Sequence, residues 1–259
     1  MPQTDYTGMK IMQKILSRPE SLKNSVLSYC PGCGHGIIHR LVAECIDELG
    51  VRENTVAVAP VGCAVFAYDY FNFDVTEAPH GRPPAVATGI KRTNPDKFVF
   101  TYQGDGDIAA IGMAETIHAA NRGENITIIF VNNANYGMTG GQMAPTTLIG
   151  QVTETTPFGR DPEREGYPIK VCELLSTLEA PVYLERVSIY NPQNIIKAKK
   201  AIKKAFQCQI DGKGFSLVEV ISNCPVDWGM TPLDSIKWVE ETFIKAFPLG
   251  VIKDNTDAK

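Results

Sequence analysis

Two polar stretches that follow apolar runs constrain the fold of this chain more than any other feature. The sequence Gly-Asp-Gly-Asp at 104–107 comes directly after the mainly apolar run 97–103, and Asn-Asn-Ala-Asn at 132–135 comes directly after 126–131. Both runs have the length and the β-branched and aromatic content of buried strands. A helix is predicted between them, over 108–121. Because parallel strands joined by one helix end at the same edge of a sheet, the polar stretches are predicted to form one site there.

The rest of the chain repeats this alternation of strands and helices. Gly50 stands where a helix C-terminus favours glycine, and Asn191 is placed as the N-cap before Pro192. The pattern predicts an α/β fold with a mostly parallel sheet flanked by helices. The remaining predicted strands are 56–61, 181–188 and 215–221, and the remaining predicted helices are 9–16, 37–49, 85–92, 171–178, 192–210 and 233–246.

Charge and hydropathy argue against two classes of partner. The 259 residues carry a net charge of −4, whereas a nucleic-acid binder normally shows a basic excess. No run approaches the roughly 18 apolar residues of a membrane span, and the N-terminus lacks the apolar region of a signal peptide. We therefore expect a cytoplasmic protein that binds neither nucleic acid nor membrane. Disulfides are rare in that compartment, so clustered cysteines indicate metal or redox chemistry.

The two polar stretches carry ligands that a hard cation prefers. Asp105 offers a carboxylate and Asn133 a side-chain amide oxygen, and Mg²⁺ binds such oxygens together with substrate phosphates. Gly104 and Gly106 allow a ligand to approach the backbone closely, and the helix that begins near Ile108 offers free N–H groups to a phosphate. A tight turn alone would explain the glycines, but it would not explain the paired asparagines. The sequence therefore predicts a site for a divalent cation and a phosphate.

The seven cysteines divide into two groups. Taken alone, Cys30-x-x-Cys33 is compatible with a redox dithiol, half of a zinc site or half of an iron–sulfur site. Cys63 and Cys224 each end a predicted strand, where the other ligands gather. Spacing does not separate zinc from iron. The predicted four-thiolate site therefore comprises Cys30, Cys33, Cys63 and Cys224, while Cys45, Cys172 and Cys208 lie inside helix patterns and are expected to pack as small hydrophobes.

The Gly-Asp-Gly sequence followed by an Asn-Asn pair resembles the thiamine diphosphate motif. The resemblance implies that Asp105 and the Asn133 side chain bind Mg²⁺, with the backbone carbonyl of Asn135 as the third protein ligand. It also implies that the cofactor is lined by Gly104, Gly106 and Asp107 and by the loop residues Gly137, Met138, Thr139, Gly140, Gly141 and Gln142.

Four further motifs extend the resemblance over residues from about 29 to 246. They are Cys-Pro-Gly-Cys-Gly-His-Gly at 30–36, Val-Gly-Cys at 61–63, His-Gly-Arg at 80–82 and Asn-Tyr-Gly-Met-Thr-Gly-Gly-Gln at 135–142. In this order they resemble the β subunit of 2-oxoacid:ferredoxin oxidoreductases. The resemblance implies a [4Fe–4S] cluster on the four cysteines. It places Gly62, Cys63, His80 and Gly81 at the cofactor, and gives His80 and Arg82 catalytic contacts with the diphosphate or the incoming acid.

The same resemblance implies the domain organisation and the partners. We expect an N-terminal extension at 1–28, a thiamine diphosphate- and cluster-binding domain at 29–246 and a C-terminal tail at 247–259. The chain has room for one such domain and lacks the cysteine run of a ferredoxin. An α subunit is therefore expected to supply the pyrimidine-binding domain. Gamma and ferredoxin-like delta subunits are expected to carry further electron transfer to ferredoxin.

The implied reaction is oxidative decarboxylation of a 2-oxoacid with coenzyme A, giving acyl-CoA, carbon dioxide and reduced ferredoxin. The segment 139–141 offers no cation for a second carboxylate, which favours 2-oxoisovalerate. Arg82 or the α subunit could supply such a cation, so 2-oxoglutarate is a close second among the expected substrates. Pyruvate is third. The alternatives are a subunit of a non-redox thiamine-dependent decarboxylase and a non-catalytic scaffold stapled by zinc.

Overall fold

The computed structural model describes residues 17–257, so the predicted helix 9–16 lies outside the described residues. Seven strands form one sheet in the order β2-β1-β3-β4-β8-β7-β9, and β5 and β6 form a separate two-stranded ribbon. All neighbours in the main sheet are parallel except β9, which runs antiparallel to β7. The strands are β1 (Thr55–Ala59), β2 (Asp74–Glu77), β3 (Phe98–Gly104), β4 (Thr127–Asn132), β5 (Asn135–Tyr136), β6 (Gln142–Met143), β7 (Tyr183–Ser188), β8 (Ser216–Ile221) and β9 (Gly250–Asp254).

Helices cover both faces of the sheet, which confirms the predicted α/β class. Apolar residues of α1 and α7 pack on one face, and those of α3, α4 and α6 pack on the other. The helices are α1 (His35–Leu49), α2 (Ala67–Tyr70), α3 (Pro83–Thr93), α4 (Met113–Asn121), α5 (Pro162–Glu165), α6 (Val171–Ser176), α7 (Pro192–Ile210), α8 (Pro232–Trp238) and α9 (Ile244–Ala246).

The central strands are buried on both faces, which explains their unbroken apolar sequences. In β3, Phe100 and Tyr102 belong to the core beside α1 and α7, whereas Val99 belongs to the core on the opposite face. Residue pairing between β3 and β4 places Gly104 beside Val131. The two polar stretches therefore leave the sheet at the same edge, as the sequence predicts.

Two predicted helix ends are confirmed by their backbone geometry. Gly50 follows α1 with φ of 66°, a left-handed conformation that glycine adopts without steric penalty. At the start of α7, the Asn191 side chain accepts a hydrogen bond from the Asn194 N–H at 2.9 Å. These caps satisfy backbone groups that a helix end would otherwise leave without partners.

The predicted continuous helix over 108–121 is wrong in its first part. Residues Asp107–Ile111 form a π-helical turn, and α4 starts only after Gly112. A Cβ at Gly112 would lie 2.6 Å from the carbonyl oxygens of both Asp107 and Gly81, so only glycine fits this junction. The predicted helix 233–246 is likewise interrupted, because the π-helical turn Val239–Phe243 separates α8 from α9.

The two edge strands of the main sheet, β2 and β9, are not predicted from the sequence. Strand β2 is largely exposed, so its residues lack the apolar pattern that marks a strand. Strand β9 pairs with β7 and lies within residues 247–259, which the sequence assigns to a tail. Among residues 17–257, no helix has the length and apolar content needed to cross a membrane.

Candidate active site

A cleft opens at the edge of the sheet where β1, β3 and β4 end. Its empty space of about 590 Å³ includes the solvent at its open mouth. Five of its lining residues were not predicted as ligands from the sequence: His35, Val61, Ala64, Val131 and Tyr136. The sequence-predicted residues that also line it are Gly62, Cys63, His80, Gly104, Asp105, Gly106, Asp107, Asn133, Asn135, Gly137, Met138 and Thr139.

Asp105 is a buried carboxylate within this cleft. It is 2% exposed, and its Oδ1 accepts the Gly106 N–H at 2.8 Å while its Oδ2 accepts the Thr146 hydroxyl at 2.6 Å. Burial raises the pKa of this carboxyl to about 7. Among the described lining residues none is a lysine or an arginine. A buried carboxylate is stabilised by an adjacent cation, so this donor fits a divalent metal.

The residues after β4 form a tight turn that presents Asn133 and Asn135. The Asn132 side chain accepts the Ala134 N–H at 3.2 Å and donates to Glu219 Oε1 at 2.7 Å. Ala134 has φ of 57°, the left-handed region that residues with a Cβ rarely adopt. Asn135 Oδ1 is buried without a hydrogen-bond partner among the described residues. This unpaired oxygen is an acceptor that a bound ligand can satisfy.

A long loop closes over this turn from the other side. Thr146 donates to Asp105, and the neighbouring Thr147 hydroxyl donates to the carbonyl of Ala134 at 2.6 Å. Arg160, which is 4% exposed, ties the loop together by donating to the carbonyls of Pro145 at 3.0 Å and Thr147 at 2.6 Å, among others. No sequence motif identified Thr146 as a contact of Asp105.

The glycines of the cleft leave space for a ligand next to the backbone. No atom lies within 4 Å of the position that a Cβ would take at Gly62 or Gly104. Gly62 also has φ of 111°, a conformation available essentially only to glycine. At Gly137, by contrast, a Cβ would lie 3.3 Å from Cys63 Sγ and 3.5 Å from Asn133 Nδ2. The cleft therefore fits a ligand that approaches the main chain closely, as a diphosphate does.

Five of the residues predicted to contact the cofactor or the substrate do not line the cleft. Arg82 pairs with Glu115 of α4 instead, and it is part of an exposed ion pair. Gly81 turns its N–H toward the Asp107 carboxylate at 2.6 Å. Gly140 and Gly141 lie in the β5–β6 turn, and Gln142, the first residue of β6, bonds to Thr139. Cofactor contacts of these residues stay predictions.

Of the four selected cysteines, Cys63 lines the cleft and Cys224 contacts Asn135, another lining residue. Cys224 Sγ donates to Asp227 Oδ2 at 3.3 Å and accepts from Asn135 Nδ2 at 3.7 Å. Burial, with smaller contributions from Cys33 and Cys30, raises the pKa of Cys63 to about 12. Burial likewise raises the pKa of Cys33 to about 11. A metal bound to these thiols would deprotonate them.

Within residues 17–257, no three His, Cys, Asp or Glu side chains have the compact spacing of a metal-ion site. The assignment of the four cysteines to an iron–sulfur cluster therefore stays a prediction that rests on the family resemblance. Asp227, which contacts Cys224, was not singled out by the sequence, although it follows that cysteine by three positions. As predicted, Cys45, Cys172 and Cys208 are buried.

An aromatic stack connects the cysteine loop to the cleft. Tyr29 stacks on His35 with 4.6 Å between ring centroids, and His39 stacks on Tyr102 at the same distance. The Tyr29 hydroxyl contacts His39 Nε2 at 2.8 Å and donates to the Cys63 carbonyl at 3.0 Å. The stack therefore fixes Cys63 relative to α1.

His39 makes stability sensitive to acid. Burial lowers its pKa well below 6.5, so the unfolded chain binds a proton that the folded chain excludes. The free energy of unfolding is therefore expected to fall as pH drops below 6.5, by about 1.4 kcal/mol per unit from this residue. Urea unfolding at several pH values checks this. His39→Gln should show a shallower loss than the wild type, and equal slopes would contradict the assignment.

Comparison with known proteins identifies the class of this fold and site. Residues 60–220 match the family described as thiamine pyrophosphate enzyme, C-terminal TPP binding domain. A solved structure of 2-oxoglutarate:ferredoxin oxidoreductase from Magnetococcus marinus, with 2-oxoglutarate, coenzyme A and succinyl-CoA bound, has the same fold. Its TM-score is 0.77 at 24% identity, covering 93% of this chain and 86% of that one. The chain thus contains a thiamine pyrophosphate-binding domain.

Two relatives define the family more closely. Ketoisovalerate oxidoreductase subunit VorA of Methanothermobacter thermautotrophicus is 50% identical over 254 residues, covering 94% of this chain and 53% of that subunit. 2-Oxoglutarate synthase subunit KorB of Methanocaldococcus jannaschii is 37% identical over 223 residues, covering 83% of this chain and 78% of that subunit. The chain belongs to the family of 2-oxoacid:ferredoxin oxidoreductase subunits, which confirms the resemblance seen in the sequence. It spans about half the length of the ketoisovalerate oxidoreductase subunits that it matches.

Proposed function

We propose that this chain is the thiamine diphosphate-binding β subunit of a 2-oxoacid:ferredoxin oxidoreductase. The complex would convert a 2-oxoacid and coenzyme A to acyl-CoA and carbon dioxide, passing two electrons to ferredoxin. The cleft carries this proposal. It joins Asp105 and Asn133, at the ends of β3 and β4, with Cys63 beyond β1. Oxygen ligands for Mg²⁺ and a sulfur ligand for an electron acceptor therefore lie in one site.

The residues of the cleft take separate roles in this proposal. Asp105, the Asn133 side chain and the Asn135 carbonyl hold Mg²⁺, while Gly62 and Gly104 leave room for the cofactor. Thiamine diphosphate, when bound, supplies the carbon nucleophile and electron sink that decarboxylation of a 2-oxoacid needs. The thiols that would hold a [4Fe–4S] cluster, suited to single-electron transfer, belong to Cys30, Cys33, Cys63 and Cys224.

Thr146 offers a specific test of the proposed metal site. Thr146→Val keeps the shape of the side chain but removes the hydroxyl that donates to Asp105. The affinity for Mg²⁺, titrated calorimetrically with thiamine diphosphate, is expected to fall about ten-fold, as for other residues that orient metal ligands. Thr146→Ser should restore it. Thr93→Val, which removes an exposed hydroxyl of α3, is the matched control. Unchanged affinity in Thr146→Val would contradict the assignment of Asp105.

The substrate is proposed to be 2-oxoisovalerate. The described cleft lining contains no lysine or arginine to bind a second carboxylate, and the 50% identical relative is named for ketoisovalerate. 2-Oxoglutarate is placed second because the relatives named for it are 38% identical or less, and pyruvate is third. Turnover of the three acids by the reconstituted complex tests this order. A large preference for 2-oxoglutarate would overturn it.

Separate subunits are proposed to complete the active site. An α subunit would contribute the pyrimidine-binding domain, and gamma and ferredoxin-like delta subunits would connect the cluster to ferredoxin. The relatives are themselves named as subunits, which supports this organisation. The purified chain is therefore expected to oxidise no 2-oxoacid until its α partner is added.

Cofactor analysis of an anaerobic preparation tests the whole proposal. We expect a brown protein that contains iron and sulfide and binds thiamine diphosphate only with Mg²⁺. A colourless protein with one zinc and no affinity for thiamine diphosphate would indicate the zinc-stapled scaffold instead. Release of carbon dioxide by the complex without reduction of ferredoxin would indicate a non-redox decarboxylase.

A further inference from the structure

Asp107 has different partners from those that its motif suggests. The motif assigns it to the diphosphate lining, yet it is 2% exposed and both of its oxygens are engaged by the protein. Oδ1 lies 2.5 Å from His80 Nδ1 and accepts the Gly81 N–H at 2.6 Å. Oδ2 accepts from the Gln103 side-chain amide. A carboxylate occupied in this way has little capacity left for a ligand, and its charge repels a diphosphate.

Two buried polar residues of β3 orient the Asp107 carboxylate through hydrogen bonds. Thr101 and Gln103 are both fully buried, and the Thr101 hydroxyl donates to Gln103 Oε1 at 2.7 Å. This bond leaves the amide nitrogen of Gln103 facing Asp107. Burying polar side chains in a central strand is unfavourable unless every group is paired. The chain from Thr101 through Gln103 to Asp107 therefore fixes the carboxylate in one orientation.

The backbone around His80 is fixed as well. Gly81 has φ of 80°, and a Cβ there would lie 2.6 Å from the Gly112 nitrogen. The turn that carries His80 is thus packed tightly against the end of the π-helical turn. The His80 side chain is 27% exposed and lines the cleft. With Nδ1 engaged by Asp107, Nε2 is the ring nitrogen left for a ligand.

We propose that Asp107 is a positioning residue: its carboxylate accepts a hydrogen bond from His80 Nδ1–H and turns Nε2 toward the bound cofactor or substrate, where Nε2, once protonated, donates to an anionic oxygen. This inference rests on the proposed function. The described lining has no lysine or arginine, and its other histidine, His35, is kept neutral by burial, which lowers its pKa to about 4. His80 is therefore the lining side chain with a ring nitrogen placed to meet an anion. The anionic oxygen belongs either to the diphosphate or to the carboxylate of the 2-oxoacid.

A double-mutant cycle in the complex with its α partner tests the coupling. Asp107→Asn and His80→Gln are each expected to lower kcat/KM about ten-fold or more, and the double variant should be no worse than His80→Gln alone. Such non-additivity arises when one residue acts through the other. Asp96→Asn, at an exposed position, is the matched control. Effects that multiply in the double variant would overturn the proposal.

The same variants distinguish the two anions. A weaker dissociation constant for thiamine diphosphate with Mg²⁺ would assign the anionic oxygen to the diphosphate. A higher KM for the 2-oxoacid, with cofactor affinity unchanged, would assign it to the substrate carboxylate. If both constants equal those of the wild type in His80→Gln, His80 contacts neither anion and the proposal is wrong.

A spectroscopic test needs neither cofactor nor partner. The chain has four histidines, so ¹⁵N-histidine labelling gives a simple spectrum in which His80→Gln identifies the His80 signals. At alkaline pH, His80 should carry its proton on Nδ1 in the wild type and shift toward Nε2 in Asp107→Ala. An identical tautomer in both would overturn the positioning role. Because this result does not depend on bound cofactor, it separates failure of this inference from failure of the proposed function.

Discussion

Replacing Asp105 with asparagine is expected to weaken Mg²⁺-dependent binding of thiamine diphosphate by roughly 100-fold or more, because loss of a direct ligand exceeds the 10–100-fold effect of losing an orienting residue. Asparagine keeps the size of the side chain and the acceptor for the Gly106 N–H at 2.8 Å. What it removes is the charge that the metal requires. Titration calorimetry of the chain with cofactor and Mg²⁺ measures the change.

The same substitution is expected to stabilise the cofactor-free chain. Asp105 is buried, and without a cation its ionised form is unfavourable, which is why burial raises its pKa to about 7. A neutral amide removes that penalty, so urea should unfold Asp105→Asn at a higher concentration than the wild type. Asp96→Asn, with an exposed side chain, should change neither property. Full cofactor affinity in Asp105→Asn would exclude Asp105 as a metal ligand.

Removing the guanidinium of Arg186 is expected to cause the largest loss of stability. Arg186 is buried in β7, where it donates to Glu219 Oε2 at 2.8 Å and Glu173 Oε1 at 2.8 Å. Arg186→Met would leave the fully buried Glu219 carboxylate without its cation. Breaking a buried pair in this way costs about 3–5 kcal/mol. Urea unfolding monitored by circular dichroism measures the loss.

Two further variants separate the charge from the packing. Arg186→Met combined with Glu219→Gln should recover much of the stability, because the remaining partner is then neutral and still bonds to Asn132. Arg164→Met removes an arginine whose side chain is 73% exposed, and it should change stability by less than about 0.5 kcal/mol. Equal losses in Arg164→Met and Arg186→Met would show that burial of the pair is unimportant.

The sequence predicts the centre of the site well because strong local signals determine it. Strands β3 and β4 are buried on both faces, so their apolar runs are unambiguous, and the polar residues that follow must leave the sheet together. That is why Asp105 and Asn133 are correctly brought to one cleft. The caps at Gly50 and Asn191 are predictable for the same reason, since each depends on neighbouring residues alone.

The partners of charged side chains are not predictable in this way. Arg82 pairs with Glu115 on a helix that follows later in the chain, and a motif cannot foresee that choice. The Asp107 carboxylate, at the start of the π-helical turn, contacts the His80 ring, which lies in a separate segment earlier in the chain. Strand β2 has no apolar pattern to detect, since its backbone pairing with β1 defines it. Local patterns thus give the strands that carry the site, whereas tertiary packing decides the hydrogen bonds within it.

The adjacency of β4 and β8 has a consequence for how the protein is made. Synthesis proceeds from the amino end, so residues 104–107 and 132–135 leave the ribosome well before 216–221. Yet the side chain of Asn132, which closes the turn after β4, donates a hydrogen bond to Glu219 of β8. Glu219 in turn accepts a hydrogen bond from Arg186 of β7. A nascent chain therefore carries both motifs before it has the strand that fixes their geometry. We therefore expect the chain to bind its cofactor only after the sheet is complete.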